Sequence, residues 1–256
     1  MLNFCSLFSS SSANSLLVYD ETTKILIDCG SSLKRTSAAL LSLGIDIRDI
    51  DAILVTHEHS DHTSGLITIS NKYDIPVYIN SLTLSKIPGN EQIKNISIIN
   101  YGEFDISTLH ITSFKTPHDG ISPSGYVIKS DDKQITVATD LGHIDRSILE
   151  YFEGSGFVFI ESNHDLDMLK NGPYHYNLKR RILSDFGHLS NKACSELVCY
   201  LAMHGIKRFM LGHLSDSNNT PAIALRESQN ALKFNNLDVI DLSVAPKDEI
   251  SKLITI

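Results

Sequence analysis

The chain has no run approaching the roughly 18 consecutive apolar residues of a membrane helix, which sets aside helical integral membrane proteins. Its start, Met1-Leu2-Asn3-Phe4-Cys5, lacks the basic segment and apolar stretch expected of a secretory signal. No CxxC pairs its four cysteines, Cys5, Cys29, Cys194 and Cys199, and 256 residues can bury a core without disulfides. A reducing cytoplasm is therefore the expected setting. Net basic charge is missing too: 22 Lys+Arg against 30 Asp+Glu leave −8 at pH 7. Any hold on nucleic acid must then come from a local basic patch or from bound cations. No repeat, proline-rich linker or long charge block divides the chain. With 42% apolar and 20% charged residues it has the composition of an ordinary globular protein, and one domain over 1–256 is expected.

What the chain has in excess is histidine, 11 residues, several of them clustered. Short runs rich in Leu, Val, Ile or Tyr predict strands over 2–8, 15–20, 24–28, 52–55, 76–80, 108–114, 124–130, 134–139, 156–161 and 207–212. Apolar spacing predicts helices over 32–44, 62–73, 145–153, 177–184, 190–204 and 221–234. Ser9-Ser10-Ser11-Ser12 reads as a tight loop between two strands. Strands pair first and later alternate with helices, which predicts sheets covered by helices.

The chemistry gathers at Thr56-His57-Glu58-His59-Ser60-Asp61-His62, directly after the apolar run Ala52-Ile53-Leu54-Val55. At a strand exit the chain is still extended, so His57 and His59 point to one side and can grip one metal ion. Asp61 and His62 lie where the chain turns into a helix, displaced enough to grip a second. Imidazole with carboxylate suits Zn²⁺, Mn²⁺ or Fe.

An HxHxDH motif after an apolar strand resembles the signature of the metallo-β-lactamase superfamily. That family adds an early strand-end Asp and then a His, an Asp and a His, each closing its own strand. Here these are Asp28, His118, Asp140 and His213. The resemblance implies a four-layer αββα fold, two mixed sheets packed face to face with helices outside. It also implies two divalent ions: His57, His59 and His118 on one, Asp61, His62 and His213 on the other, with Asp140 and a hydroxide between them. Asp28 would orient a ligand histidine, and Asp61 would serve catalysis as well as ligation. Two such ions make hydroxide available near neutral pH and polarise a phosphoryl or carbonyl oxygen, so the implied reaction is hydrolysis.

Further along, Phe157-Val158-Phe159-Ile160 leads into Glu161-Ser162-Asn163-His164, and Gly187-His188-Leu189-Ser190-Asn191 opens a helix. These resemble the phosphate-handling loops of tRNA 3′-processing nucleases, which implies His188 as proton donor held by Glu161. The segments LVTHEHSDHTSGL, ESNHDLDML, NLKRRILSDFGHLSN and LGHLSDSNN are most similar to the YycJ/WalJ-type family of bacterial nucleases with this fold. That implies a cytoplasmic exonuclease acting on DNA from the 5′ end, with Zn²⁺ or Mn²⁺ in the site. Candidate substrate contacts are Asn163, His164, Ser190 and Asn191, with Lys179, Arg180 and Arg181 facing phosphates. His143 and His175 are candidates for the groove, whereas His110 and His204 read as ordinary residues. One departure stands out: the family's SGSSGN loop is here Ser9-Ser10-Ser11-Ser12-Ala13-Asn14.

Two rival readings remain open on the sequence. One is a hydrolase of thioesters, lactones or cyclic phosphodiesters, favoured by a narrow pocket roofed by apolar loops. An open groove edged by Lys179–Arg181 favours the nuclease instead. The other rival is a binding module without activity, against which the full ligand set weighs.

Overall fold

The computed structural model describes residues 1–237 and 239–256. The first half builds a sheet from β1 (Asn3–Ser10), β2 (Ala13–Tyr19), β3 (Lys24–Ile27), β4 (Ala52–Leu54), β5 (Val77–Asn80) and β6 (Ile96–Ile99). The second builds another from β7 (Gly102–Ile106), β8 (Leu109–Lys115), β9 (Ser124–Ser130), β10 (Lys133–Ala138), β11 (Phe157–Glu161), β12 (Arg208–Gly212) and β13 (Asp241–Val244). The closing strand β14 (Ile254–Thr255) returns to pair with β1, so the orders are β14-β1-β2-β3-β4-β5-β6 and β13-β12-β11-β10-β9-β8-β7. Both sheets are mixed: antiparallel through β1-β2-β3 and β7-β8-β9-β10, parallel through β3-β4-β5-β6 and β10-β11-β12-β13.

Residues alternate between the faces of a strand, and here both faces are buried, so the inner strands read as continuous apolar runs. Ile25 and Ile27 of β3 point between the sheets toward Phe157 and Phe159 of β11. The Phe4 ring bridges them, with centroids 4.8 Å from Phe157 and 5.2 Å from Phe159. Leu26 points the other way, into the layer with Leu40 of α1 (Leu33–Ser42) and Ile69 of α3 (Leu66–Tyr73). Val158 and Ile160 likewise face Leu197, Val198 and Leu201 of α8 (Asn191–Met203). Helix, sheet, sheet, helix is the four-layer αββα arrangement expected from the sequence.

The helix expected over 62–73 is two helices, α2 (Ser60–Thr63) and α3. The break falls at Gly65, whose N–H donates to Cys29 O at 2.8 Å. A Cβ there would meet Ser31 O at 2.0 Å, so only glycine permits this approach. The other helices are α4 (Ser81–Lys86), α5 (Arg146–Leu149), α6 (Leu166–Asn171), α7 (Tyr176–Ile182) and α9 (Pro221–Phe234). Sequence patterning missed α4 and α6, which are one or two turns long, and the edge strands β6, β7, β13 and β14. No helix among the described residues is long and apolar enough to cross a membrane.

Candidate metal centre

The motif residues follow the carboxyl ends of β3, β4, β8, β10, β11 and β12, where the two sheets present one common edge. Open α/β sheets place ligands at strand ends of this kind. Three of the residues there have left-handed backbone, Asp28 at φ 64°, Asp140 at 59° and His213 at 55°. That conformation turns a strand-end side chain back across the edge, toward the site and away from the next loop.

His57, His59 and His118 bring ring nitrogens together, and Asp61, His62 and His213 form a second group. Asp140 lies between, with His118 Nε2 3.5 Å from Oδ1 and His62 Nε2 3.5 Å from Oδ2. All but His59 and Asp61 are buried.

Each of four buried imidazoles has an acceptor behind it that fixes its tautomer. His62 Nδ1 donates to Asp28 Oδ2 at 2.7 Å, and His118 Nδ1 to Gly187 O at 2.9 Å. His57 Nδ1 lies 3.0 Å from Thr56 Oγ1, which itself donates to Asp28 Oδ2 at 2.7 Å. His213 Nδ1 donates to Glu161 Oε1 at 3.0 Å. In each ring Nε2 is thereby left facing the cluster.

This donor set fits divalent cations. Asp140 Oδ2 and His213 Nε2 are buried with no hydrogen-bond partner, which is costly for polar atoms unless something else meets them. Burial, with His62 beside it, holds His57 well toward the neutral form that ligates metal. Burial opposes ionisation of Asp140, but His213, His62, His57 and His118 outweigh it and keep the carboxylate. Asp140, Asp28 and Asp61 raise His62 despite its burial, and Asp140, Asp61 and Glu161 raise His213 to about 10, so these carboxylates favour positive charge at the second group.

Beside the cluster, His188 Nδ1 lies 2.7 Å from Glu161 Oε1 and 3.7 Å from Asp140 Oδ1. Glu161 is fully buried and does more than hold His188. Its Oε1 also receives His213, and its Oε2 accepts from the amides of Leu141 at 2.7 Å and Leu189 at 3.2 Å. Burial works against its charge, yet His188 and His213 hold its pKa down to about 2.

A cavity of about 370 Å³ opens over the cluster, lined by Asp61, Asp140, Asn163, Arg181, His188 and His213 among others. Asn163 donates from Nδ2 to His213 O at 2.9 Å. Ser190 is the N-cap of α8, accepting from Ala193 N at 3.2 Å. Asn191 and Lys179, expected to contact substrate, are both engaged within the protein. Asn191 is 2% exposed, with its amide bonded to Asn219 at 2.9 Å and to the Ser162 hydroxyl at 2.7 Å. Lys179 Nζ donates to the carbonyls of Lys170 and Gly172 at 2.8 Å, tying α7 to the end of α6. Of the three consecutive cations only Arg181 lines the cavity, paired with Asp119, while Arg180 sits over the Tyr176 ring, 5.8 Å from its centroid. Consecutive helical residues diverge around the axis, so the three form no single basic edge. His175 is the exposed N-cap of α7 and His143 bonds Asp185 O at 2.8 Å.

Sequence reasoning missed three supports. Asn14 Nδ2 donates to Asp61 Oδ2 at 3.1 Å, and Ser9 Oγ accepts from His213 N at 2.7 Å. Both belong to the serine loop, where the hairpin accommodates the buried Ser10 and Ala13 without glycine. Asp119 Oδ1 lies 3.3 Å from His118 Nε2 and 3.6 Å from His59 Nε2.

Residues 23–214 match the family described as the beta-lactamase superfamily domain. The chain is 35% identical over 229 residues to exodeoxyribonuclease YycJ of Bacillus anthracis, spanning 87% of this chain and 86% of that one. It is 34% identical over 245 residues to exodeoxyribonuclease WalJ of Streptococcus pneumoniae strain D39, spanning 93% and 91%. Among solved structures, the metallo-beta-lactamase fold protein YhfI of Bacillus subtilis matches with a TM-score of 0.75 at 14% identity. That match spans 98% of this chain and 100% of that one, and it is a likeness of fold alone.

Proposed function

Since the chain belongs to the beta-lactamase superfamily, and within it to the YycJ/WalJ-type branch, we propose that it is a metal-dependent phosphodiesterase that degrades DNA from the 5′ end. The observation that carries the reading is the His188–Glu161 pair beside the ligand cluster. A good leaving group, such as the thiolate of a thioester, needs no proton donor. A sugar alkoxide does.

His57, His59 and His118 would hold one ion, Asp61, His62 and His213 the other, and Asp140 would touch both. Zn²⁺ or Mn²⁺ suits these nitrogens and oxygens, and Fe is admissible. When bound, such a pair supplies hydroxide near neutral pH and polarises the phosphoryl oxygen. The two sheets act as one catalytic unit, because each contributes part of both ligand sets. Asp28 and Thr56 keep His62 and His57 turned inward. Glu161, being ionised, accepts a hydrogen bond from His188 Nδ1–H and stabilises the imidazolium, while Nε2 gives its proton to the departing oxygen. Arg181 meets a backbone phosphate at the rim of the cavity and Asn163 fixes the loop that carries His213. A reducing, cytoplasmic setting fits the four free and buried thiols.

The test is cleavage of single- and double-stranded DNA and RNA by the metal-loaded protein, with the label placed on either end in turn. Release of mononucleotides from the 5′ end of DNA is expected. Hydrolysis of thioesters or lactones with all four polynucleotides intact would refute the proposal in favour of a small-molecule hydrolase.

A further inference from the structure

A second cavity of about 540 Å³ adjoins the first and shares one residue with it, His188. Its size falls within the roughly 300–1,000 Å³ of ordinary small-ligand sites. Leu149, Leu166, Leu183, Leu197 and Tyr200 make its walls largely apolar, and Leu166, Leu183 and Tyr200 stay 43%, 55% and 41% exposed at its rim. Set in that wall is His164, 1% exposed, with neither ring nitrogen hydrogen-bonded. Buried polar groups are nearly always bonded, so an imidazole held in this state points to a ligand group that meets it. The residue is not loosely placed: its carbonyl accepts from Asn191 N at 2.8 Å, which pins it between β11 and α8.

We propose that this cavity receives the unstacked nucleobase of the nucleotide on the leaving-group side of the scissile phosphate, with His164 bonding the base edge. This rests on the phosphodiesterase reading above. The shared wall is the proton donor, so whatever fills the cavity is joined to the oxygen that departs. Of the groups joined to that oxygen, phosphate and sugar are polar throughout, whereas a base has two apolar faces and a polar edge. Flat faces suit leucine and tyrosine walls, and the edge needs a polar group at the back. Burial draws the His164 pKa down to about 4, so near neutral pH the ring has one N–H and one lone pair. Every base edge offers a match to one of these, so the cavity selects for an unpaired base over a paired one and does not select sequence.

Two measurements test it. The first compares kcat/KM for a single-stranded oligodeoxynucleotide with that for one made abasic at the nucleotide concerned. A ratio on the order of tenfold or more is expected, falling toward one in Leu183→Trp, which fills the cavity from its exposed rim, and in His164→Leu. Leu183→Trp decides if the buried His164→Leu fails to fold. The second follows the labelled His164 imidazole by NMR on adding a deoxynucleoside monophosphate or, as control, deoxyribose phosphate. A shift with the former only, lost in Leu183→Trp, supports the cavity. A ratio near one in the unmutated enzyme, or equal shifts with both ligands, overturns it while leaving the nuclease reading intact. If bis-p-nitrophenyl phosphate is hydrolysed, DNA is untouched and the base-dependent shift persists, the nuclease reading falls and the base site stands.

Discussion

Replacing His188 by alanine separates proton donation from every other role near the cluster. His188 is in neither proposed ligand set, so His188→Ala should keep both metals. General acid help is typically worth about 10²–10⁴-fold, and that factor should vanish from DNA cleavage. A p-nitrophenolate leaves without a proton, so bis-p-nitrophenyl phosphate should lose far less, on the order of tenfold or below. Glu161→Gln gives the contrast. Its bond to His188 at 2.7 Å is charge-assisted, and such bonds contribute about 1.5–3 kcal/mol, a factor of roughly 10–150 in rate. The same side chain also takes His213 Nδ1 and two backbone amides, and an amide side chain must turn an N–H toward one of these donors. Glu161→Gln should therefore lose affinity for the His213-bound ion as well as rate, whereas His188→Ala loses rate alone. The assay is metal content by elemental analysis alongside both substrates. Equal slowing of DNA and the p-nitrophenyl ester in His188→Ala would refute the assignment of His188 as proton donor.

Asp140→Asn keeps the shape of the proposed bridge but removes its charge; elemental analysis should find less than two ions per chain, and two tightly held ions would remove Asp140 from the bridge. Since each ligand set draws on both sheets, chelation should lower the melting temperature by roughly 10–20 °C, the effect of two ions, each at about 100 times its Kd, on a domain of this size. Arg181→Ala should weaken DNA binding and reduce its salt slope by about one, while Arg180→Ala leaves the slope unchanged. Away from the centre, Asp20 accepts from Thr22 and Thr23 at 2.8 Å, from Thr108 at 2.6 Å and from Ser130 at 2.9 Å. Burial opposes its charge, but these bonds win and its folded pKa is lowered. The stability it contributes is thus complete above the unfolded value near 3.9 and lost as pH falls through the folded one, so the advantage over Asp20→Asn, measured by urea unfolding, should shrink below about pH 4.

The central strands and the clustered His and Asp residues were legible because both announce themselves locally. A doubly buried strand is a continuous apolar run, and the residues that leave such strands carry His, Asp or Glu. Edge strands such as β7 expose most of their side chains and carry no such run. The supports of the site were illegible for another reason: Ser9 and His213 are 204 positions apart, and their contact exists only once β1 and β12 meet at the common edge. At 179–181 three adjacent charges suggest one patch, whereas the helix sends them to three different neighbours.

The left-handed backbone at Asp28, Asp140 and His213 bears on how this protein would respond to selection in the laboratory. Each such residue costs about 1 kcal/mol or more relative to glycine, against a total stability of about 5–15 kcal/mol for a typical domain. Glycine at any of the three would relax the chain there, although at 140 it would also take from the neighbouring histidines the carboxylate they hold. A screen of the metal-free protein scored only on melting temperature rewards the relaxed backbone wherever it outweighs the lost pairing, and is blind to the activity lost with it. Activity has to be scored in the same round for thermostable descendants of this chain to remain enzymes.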